Sequence, residues 1–193
     1  MLFRSLGFVG RLRAEKDVRI LPMLADKLIE AGKTNFEFLI VGEGSEKQHL
    51  EDSIRNARFP GFLSGEPLAE AYANMDIFVF PSATDTFGNV IQEAAASGVP
   101  SIVTGKGGPK YLVDEGETGF VANDVNAFAL RVIELMDSPE RLSRMKAAAR
   151  GFALKRSWDS VFDGVYDAYY EAWEHREKKK ALSKEELSLD RSY

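Results

Sequence analysis

The stretch Ile77-Phe78-Val79-Phe80-Pro81-Ser82-Ala83-Thr84-Asp85-Thr86-Phe87-Gly88-Asn89-Val90-Ile91-Gln92-Glu93-Ala94-Ala95-Ala96-Ser97-Gly98-Val99-Pro100 decides how this chain is read. Its first four residues form an apolar run too short for a buried helix, so they read as a buried strand. Pro81 and Ser82 end that strand. A loop follows, then a helix from about Gly88 to Ser97, closed by Gly98 with Pro100 just beyond. Asp85 falls in the loop and Glu93 in the second turn of the helix, with seven residues between them. Helical side chains lean toward the N-terminus, so Glu93 can look back at the loop that carries Asp85. Between the two carboxylates the helix start offers free backbone N–H groups and a positive dipole end. Such a site can hold an anion at the helix start and hydroxyl groups on its flanking carboxylates, the pattern of groups on a phosphorylated sugar.

Outward from this unit the chain alternates strand and helix. Strands are expected near Leu6 to Val9, Phe36 to Val41, Phe59 to Phe62, Ser101 to Val103 and Phe120 to Val121. Helices are expected near Leu21 to Ala31, Ser45 to Asn56 and Pro67 to Asn74, with a helical turn at Lys110 to Asp114. Three more helices follow, at Asn126 to Met136, Pro139 to Leu154 and Ser157 to about Lys180. In the first helix Pro22 is tolerated near the start. Leu21, Leu24, Leu28 and either Ala25 or Ile29 give its core face. This alternation implies parallel βαβ units: an α/β, Rossmann-like, doubly wound sheet. Ligands of such sheets bind at the carboxyl ends of the strands. The loops there are Arg11–Asp17, Gly42–Gly44, Phe62–Gly65, Ser82–Gly88 and Gly105–Pro109.

Composition narrows the classes. At 193 residues, 45% apolar and 28% charged, the chain has the makeup of a globular domain with an appendage. It has no cysteine, hence no disulfide framework and no thiolate chemistry, which suits a reducing cytoplasm. The net charge of −5 argues against a general nucleic-acid binder. No apolar run approaches the ~18 residues of a membrane span. The two histidines, His49 and His175, have no metal partner at ligand spacing. Gly42-Glu43-Gly44 lacks the third glycine of a dinucleotide fingerprint, since position 47 is Lys. Gly105-Lys106-Gly107 lacks the spacing and the Ser or Thr of a P-loop.

The motifs themselves carry a family resemblance. Gly10-Arg11-Leu12-Arg13-Ala14-Glu15-Lys16, Val41-Gly42-Glu43-Gly44, Phe78-Val79-Phe80-Pro81-Ser82, Thr86-Phe87-Gly88-Asn89-Val90 and Glu93-Ala94-Ala95-Ala96-Ser97-Gly98-Val99-Pro100 occur in order, followed by Gly107-Gly108 and Gly116-Glu117-Thr118-Gly119-Phe120-Val121. Together they resemble the donor-binding, C-terminal domain of the family-4 retaining glycosyltransferases, from about Leu6 to about Tyr170. The resemblance implies one half of a GT-B architecture, in which two Rossmann-like domains face each other. It places a donor domain at residues 1–156, a helix crossing to an N-terminal acceptor domain at 157–180, and a charged tail at 181–193. The acceptor domain is not in this sequence, so the resemblance implies that it lies on a separate chain or in a missing segment. It implies a nucleotide-diphosphate sugar as substrate, retaining transfer of a hexose, and no metal or other cofactor. The expected location is the cytoplasm, either free or peripherally at the inner membrane surface. Two other readings share the motifs: a non-catalytic nucleotide-sugar module, and a sugar-nucleotide epimerase-like domain.

Residue by residue, the resemblance assigns Arg11 and Lys16 to the donor diphosphate, which suits a forked guanidinium and a point charge. Glu93 matches the carboxylate that holds the ribose hydroxyls, and Asp85 the one near the donor sugar. Family members usually have Glu at both ends of this spacing, so Asp85 is shorter by one methylene, a difference that bears on which hydroxyls it meets. Thr86, Phe87, Gly88 and Asn89 are expected to present backbone N–H groups to the sugar and β-phosphate, Phe87 being either a core anchor or a contact, and Val90 counts among the donor-binding residues. By the resemblance Gly42, Glu43 and Gly44 lie beside the nucleobase and ribose and Gly107 beside the sugar, and Gly10 and Gly108 are further donor-binding positions.

Near the C-terminus Trp158, Val161, Phe162, Val165, Tyr166, Tyr169, Tyr170 and Trp173 recur every three or four residues and form one apolar helix stripe. Its first half, to about Val165, is expected to pack on the domain. Its aromatic second half is expected to stand exposed or to pair with another copy, as a homodimer. The charged segment from His175 onward is expected to fray.

Overall fold

The computed structural model describes residues 3–156 and 158–189. The chain divides after Leu154 into two units. The first contains β1 (Arg4–Val9), β2 (Phe36–Val41), β3 (Ala57–Gly61), β4 (Ile77–Phe80), β5 (Ser101–Thr104) and β6 (Gly119–Ala122). Its helices are α1 (Ile20–Glu30), α2 (Lys47–Ser53), α3 (Gly65–Ala73), α4 (Asn89–Ala96), α5 (Val125–Asp137) and α6 (Pro139–Leu154). The strands pair in parallel in one sheet, ordered β3-β2-β1-β4-β5-β6. Central strands of such a sheet are covered on both faces and so read as unbroken apolar runs. Every residue of β4 and β5 is accordingly buried. Phe80 stacks on Phe8 of β1 at 6.1 Å and on Phe78 at 5.9 Å, which ties the two middle strands together.

Local differences from the sequence reading have local causes. Helix α1 begins at Ile20, with Pro22 still in its first turn. Leu21, Leu24 and Leu28 are fully buried, and Ala25 rather than Ile29 completes the face: Ile29 is 51% exposed. Helix α2 is shorter than expected because Glu46 is held in the preceding loop, its amide donating to Leu12 O at 2.9 Å. Pro60 sits inside β3, where an edge strand tolerates its missing N–H, and the register with β2 shifts there. The expected turn at Lys110 to Asp114 is a 3-10 turn at Pro109–Leu112.

Gly151 lies inside α6, and a Cβ built there would meet nothing within 4 Å. Gly151→Ala is therefore expected to stabilise the domain by about 0.5–1 kcal/mol, through lost backbone entropy of the unfolded chain. A lowered Tm in thermal denaturation would contradict the open space around this position.

The second unit is a single helix, α7 (Trp158–Leu189). It continues past Lys180, where the sequence reading ended it. Beyond it Ala181, Leu182, Lys184, Glu185, Glu186 and Leu187 are strong helix formers, which suits the extension. The end of the expected charged tail, 190–193, lies outside the described residues. Tyr166, Tyr169, Tyr170 and Trp173 are exposed, as expected of the second half of the stripe. Phe162 and Val165, in the first half, are exposed on this helix as well. The side chains of Trp158 and Val161 lie outside the described residues.

Candidate functional site

The strand order reverses direction at β1. The chain leaving β1 turns toward β2, while the chain leaving β4 turns toward β5, and the two loops part over the sheet edge. A crevice at such a switch point is where doubly wound sheets bind ligands. Here it is a cleft of about 390 Å³. Gly10, Arg11 and Lys16 line it from the β1 side, and Asp85, Thr86, Phe87, Gly88, Asn89 and Val90 from the β4 side. A cavity of about 520 Å³ lies at the amino end of β2, against Phe36, Ile54 and Arg55, and holds none of the candidate site residues of the sequence.

Lys16 ends a 3-10 turn, Ala14–Lys16, closed by Asp17 in a left-handed conformation with φ 51°. Its Nζ lies 2.8 Å from both carboxylate oxygens of Asp85. The pair is largely enclosed, with 12% and 22% of the two side chains exposed. A second bond runs alongside it, from Thr84 Oγ1 to Glu15 O at 3.0 Å. The sequence reading gave Lys16 and Asp85 separate partners, a diphosphate and a sugar. The fold pairs them with each other. Arg11 is exposed and sits 3.7 Å from Glu15, a loose pair in water.

Helix α4 opens at the cleft. Gly88 is its N-cap, at φ 92° and ψ 63°, with no side chain to cap the helix. That left-handed conformation strains any residue with a Cβ. The first amides of α4 therefore have no side-chain cap of their own, and the positive end of the helix points where an anion would sit. Phe87 is 51% exposed, so it is not a core anchor. Among the described residues no group of three or more His, Asp or Glu is placed to hold a metal ion, and His49 and His175 are exposed.

Residues 4–138 match the family described as glycosyl transferases group 1. The chain belongs to that family. It is 41% identical over 160 residues to a GDP-mannose-dependent alpha-mannosyltransferase of Mycolicibacterium smegmatis, covering 82% of this chain and 40% of that protein. It is 38% identical over 160 residues to a protein of the same description from Corynebacterium glutamicum, covering 82% and 37%. This chain thus spans about two fifths of these relatives. Among solved structures, that of Anabaena HepE in complex with UDP superposes with a TM-score of 0.73 at 23% identity, over 88% of this chain and 49% of that one. The fold is that of a GT-B glycosyltransferase domain.

The other motif residues of this glycosyltransferase domain lie around the cleft rather than in its lining. A Cβ on Gly42 would stand 1.9 Å from Gly10 O, on Gly44 2.2 Å from Leu12 O, on Gly107 2.8 Å from Ala83 O, and on Gly108 1.8 Å from Thr86 O. These four glycines let neighbouring loops touch backbone to backbone and so support the residues that line the cleft. Leu12 donates to Glu43 O at 2.9 Å, and Gly108 to Asp85 O at 2.9 Å. The Glu43 side chain pairs with Lys47 at 2.8 Å, and that hydrogen bond raises the lysine pKa. Beneath them Arg19 binds Glu46 through two bonds of 2.7 and 3.2 Å, and holds its carboxyl below the usual carboxylate range.

Glu93 is exposed on the second turn of α4 and does not line the cleft. Its Oε2 accepts a bond of 2.7 Å from the hydroxyl of Tyr72. Tyr72, on α3, went unremarked in the sequence. Its only signal there is an aromatic ring with a polar tip on an alanine-rich helix.

Proposed function

We propose that this unit binds a nucleotide-diphosphate sugar and presents it for retaining transfer of a hexose to an acceptor. One observation carries the reading: Lys16, Arg11 and the uncapped start of α4 converge on a single cleft at the switch point of the sheet. Lys16 and Arg11 take the diphosphate, the α4 amides its β-phosphate, Asp85 the sugar and Glu93 the ribose. As the bond from C1 to the β-phosphate oxygen breaks, negative charge grows on the diphosphate, and these cationic groups stabilise it. The acceptor hydroxyl attacks C1 on the same face. Its proton passes to the leaving phosphate oxygen, so no protein base is required. In this proposal Lys16, Arg11 and the helix supply the charge that a metal would otherwise bring.

The donor named for the mannosyltransferase relatives makes GDP-mannose the first to test. Because the chain spans about two fifths of those relatives, the proposal takes the acceptor site from a second domain outside this sequence. A module that binds without transferring gives the same donor affinity but no product when an acceptor half is added. No helix among the described residues is long and apolar enough to cross a membrane. We place the protein in the cytoplasm, free or at the inner membrane surface. The aromatic face of α7 is proposed to pair with a second copy. Light scattering should then show a dimer that is lost when the chain ends after Ala168.

The test of binding is a thermal-shift panel of GDP, UDP, GDP-mannose and UDP-glucose. At a hundredfold excess over Kd, the matching ligand should add about 2.7 kcal/mol of stability. A panel in which no nucleotide raises Tm at millimolar concentration would defeat the reading.

A further inference from the structure

We infer that Tyr72 is a positioning residue for nucleoside recognition: its buried hydroxyl holds the Glu93 carboxylate in the orientation that meets the ribose. The inference rests on the assignment of Glu93 to the ribose hydroxyls in the proposed function. Glu93 is exposed and has three side-chain torsions, so by itself it would spread over several rotamers. Ordering it at the moment of binding would cost side-chain entropy. Tyr72 removes much of that cost in advance. Its ring is 2% exposed and lies against Phe78 at 5.9 Å, tilted by 55°. A ring held in the core has little freedom, and its hydroxyl therefore stands at a fixed point beneath α4. From there it donates to Glu93 Oε2 at 2.7 Å. Burial first, and the neighbouring carboxylate second, push the phenol ionisation far above its ordinary value, so the group remains a donor across the usable pH range. With one lone pair of Oε2 engaged by the tyrosine, Oε1 and the second lone pair of Oε2 are left to accept from two vicinal hydroxyls.

The experiment uses the full chain, with Tyr72→Phe, Glu93→Ala and the double variant. Titration calorimetry measures GDP, 2′,3′-dideoxy-GDP and inorganic pyrophosphate against each, with thermal denaturation as the folding control. Wild type should prefer GDP to its dideoxy analogue. Tyr72→Phe should lose roughly five- to tenfold in GDP affinity, the worth of one hydrogen bond, and keep its affinity for the other two ligands. The double variant should bind GDP no more weakly than Glu93→Ala alone, because Tyr72 acts through Glu93. A merely structural tyrosine would change Tm, or lower all three affinities together, and either pattern without ribose discrimination overturns the inference. Unchanged GDP affinity in Tyr72→Phe overturns it as well. If wild type binds GDP and its dideoxy analogue equally, the ribose assignment of Glu93 falls, and this inference with it, while the diphosphate site stands. If the thermal-shift panel selects UDP, then UDP and its dideoxy analogue replace the guanine pair; if wild type binds none of these ligands, the proposed function itself has failed.

Discussion

Lys16→Ala is expected to weaken nucleoside diphosphate binding by about 3 kcal/mol, roughly two orders of magnitude. Two effects add. The first is the lost charge-assisted contact to the diphosphate. The second comes from Asp85. In the structure both of its oxygens lie on Lys16, in a pair only 12% and 22% exposed. Without the lysine, that carboxylate stays in the same cleft, uncompensated, and repels the incoming anion. Asp85→Asn should act with opposite signs on two ligands. The bare diphosphate gains, because Lys16 no longer has to leave a carboxylate to meet it. The nucleotide sugar loses its sugar contact and gains less or loses outright. Arg11→Ala should cost less than Lys16→Ala, since Arg11 is exposed and its field is screened by water. Calorimetry on the three variants decides the matter. Wild-type diphosphate affinity in Lys16→Ala would remove the cleft from consideration, and equal losses for both ligands in Asp85→Asn would take that residue off the sugar.

The second large effect is expected from Gly108→Ala. Its Cβ would lie 1.8 Å from Thr86 O and 2.4 Å from Thr86 C, distances that no rotamer can relieve because the obstacle is backbone. The loop must move, and with it the bond from Gly108 N to Asp85 O. We expect about 3 kcal/mol of destabilisation, at the upper end of ordinary point substitutions, from the clash and the broken bond. Donor binding should fall further than stability does, because the displaced segment carries Thr86, Phe87 and the Gly88 cap. The readouts are chemical denaturation and the same calorimetry. A variant with unaltered stability and unaltered affinity would mean that the two loops do not touch as described.

Much of this was legible along the chain, because it depends on near neighbours. The run Ile77 to Phe80 is a strand since four consecutive apolar residues suit a sheet buried on both faces. Gly88 and Gly98 bound the following helix through their own backbone preferences. The alternation of such units gave the parallel α/β class, and the motif set gave the family. The motifs also mark most of the cleft: Gly10, Arg11, Lys16 and Thr86 through Val90 all stand in them, and Asp85 directly precedes one.

Local patterns along the chain thus specify its elements, their class and the loops that matter. The tertiary structure alone decided which of those loops meet. Strand order is set by how sheet and helix faces bury one another over the whole domain, and no local pattern encodes it. Only once β4 pairs with β1, Leu6 beside Ile77 and Gly7 beside Phe78, do Lys16 and Asp85 come within 2.8 Å. The same pairing turns Gly108 from a loop residue into a prop under Thr86. It was α3 folding back beside α4 that placed the hydroxyl of Tyr72 on Glu93. Contacts of this kind join residues far apart in sequence, and their physical cause is the packing of side chains from elements that share no local signal.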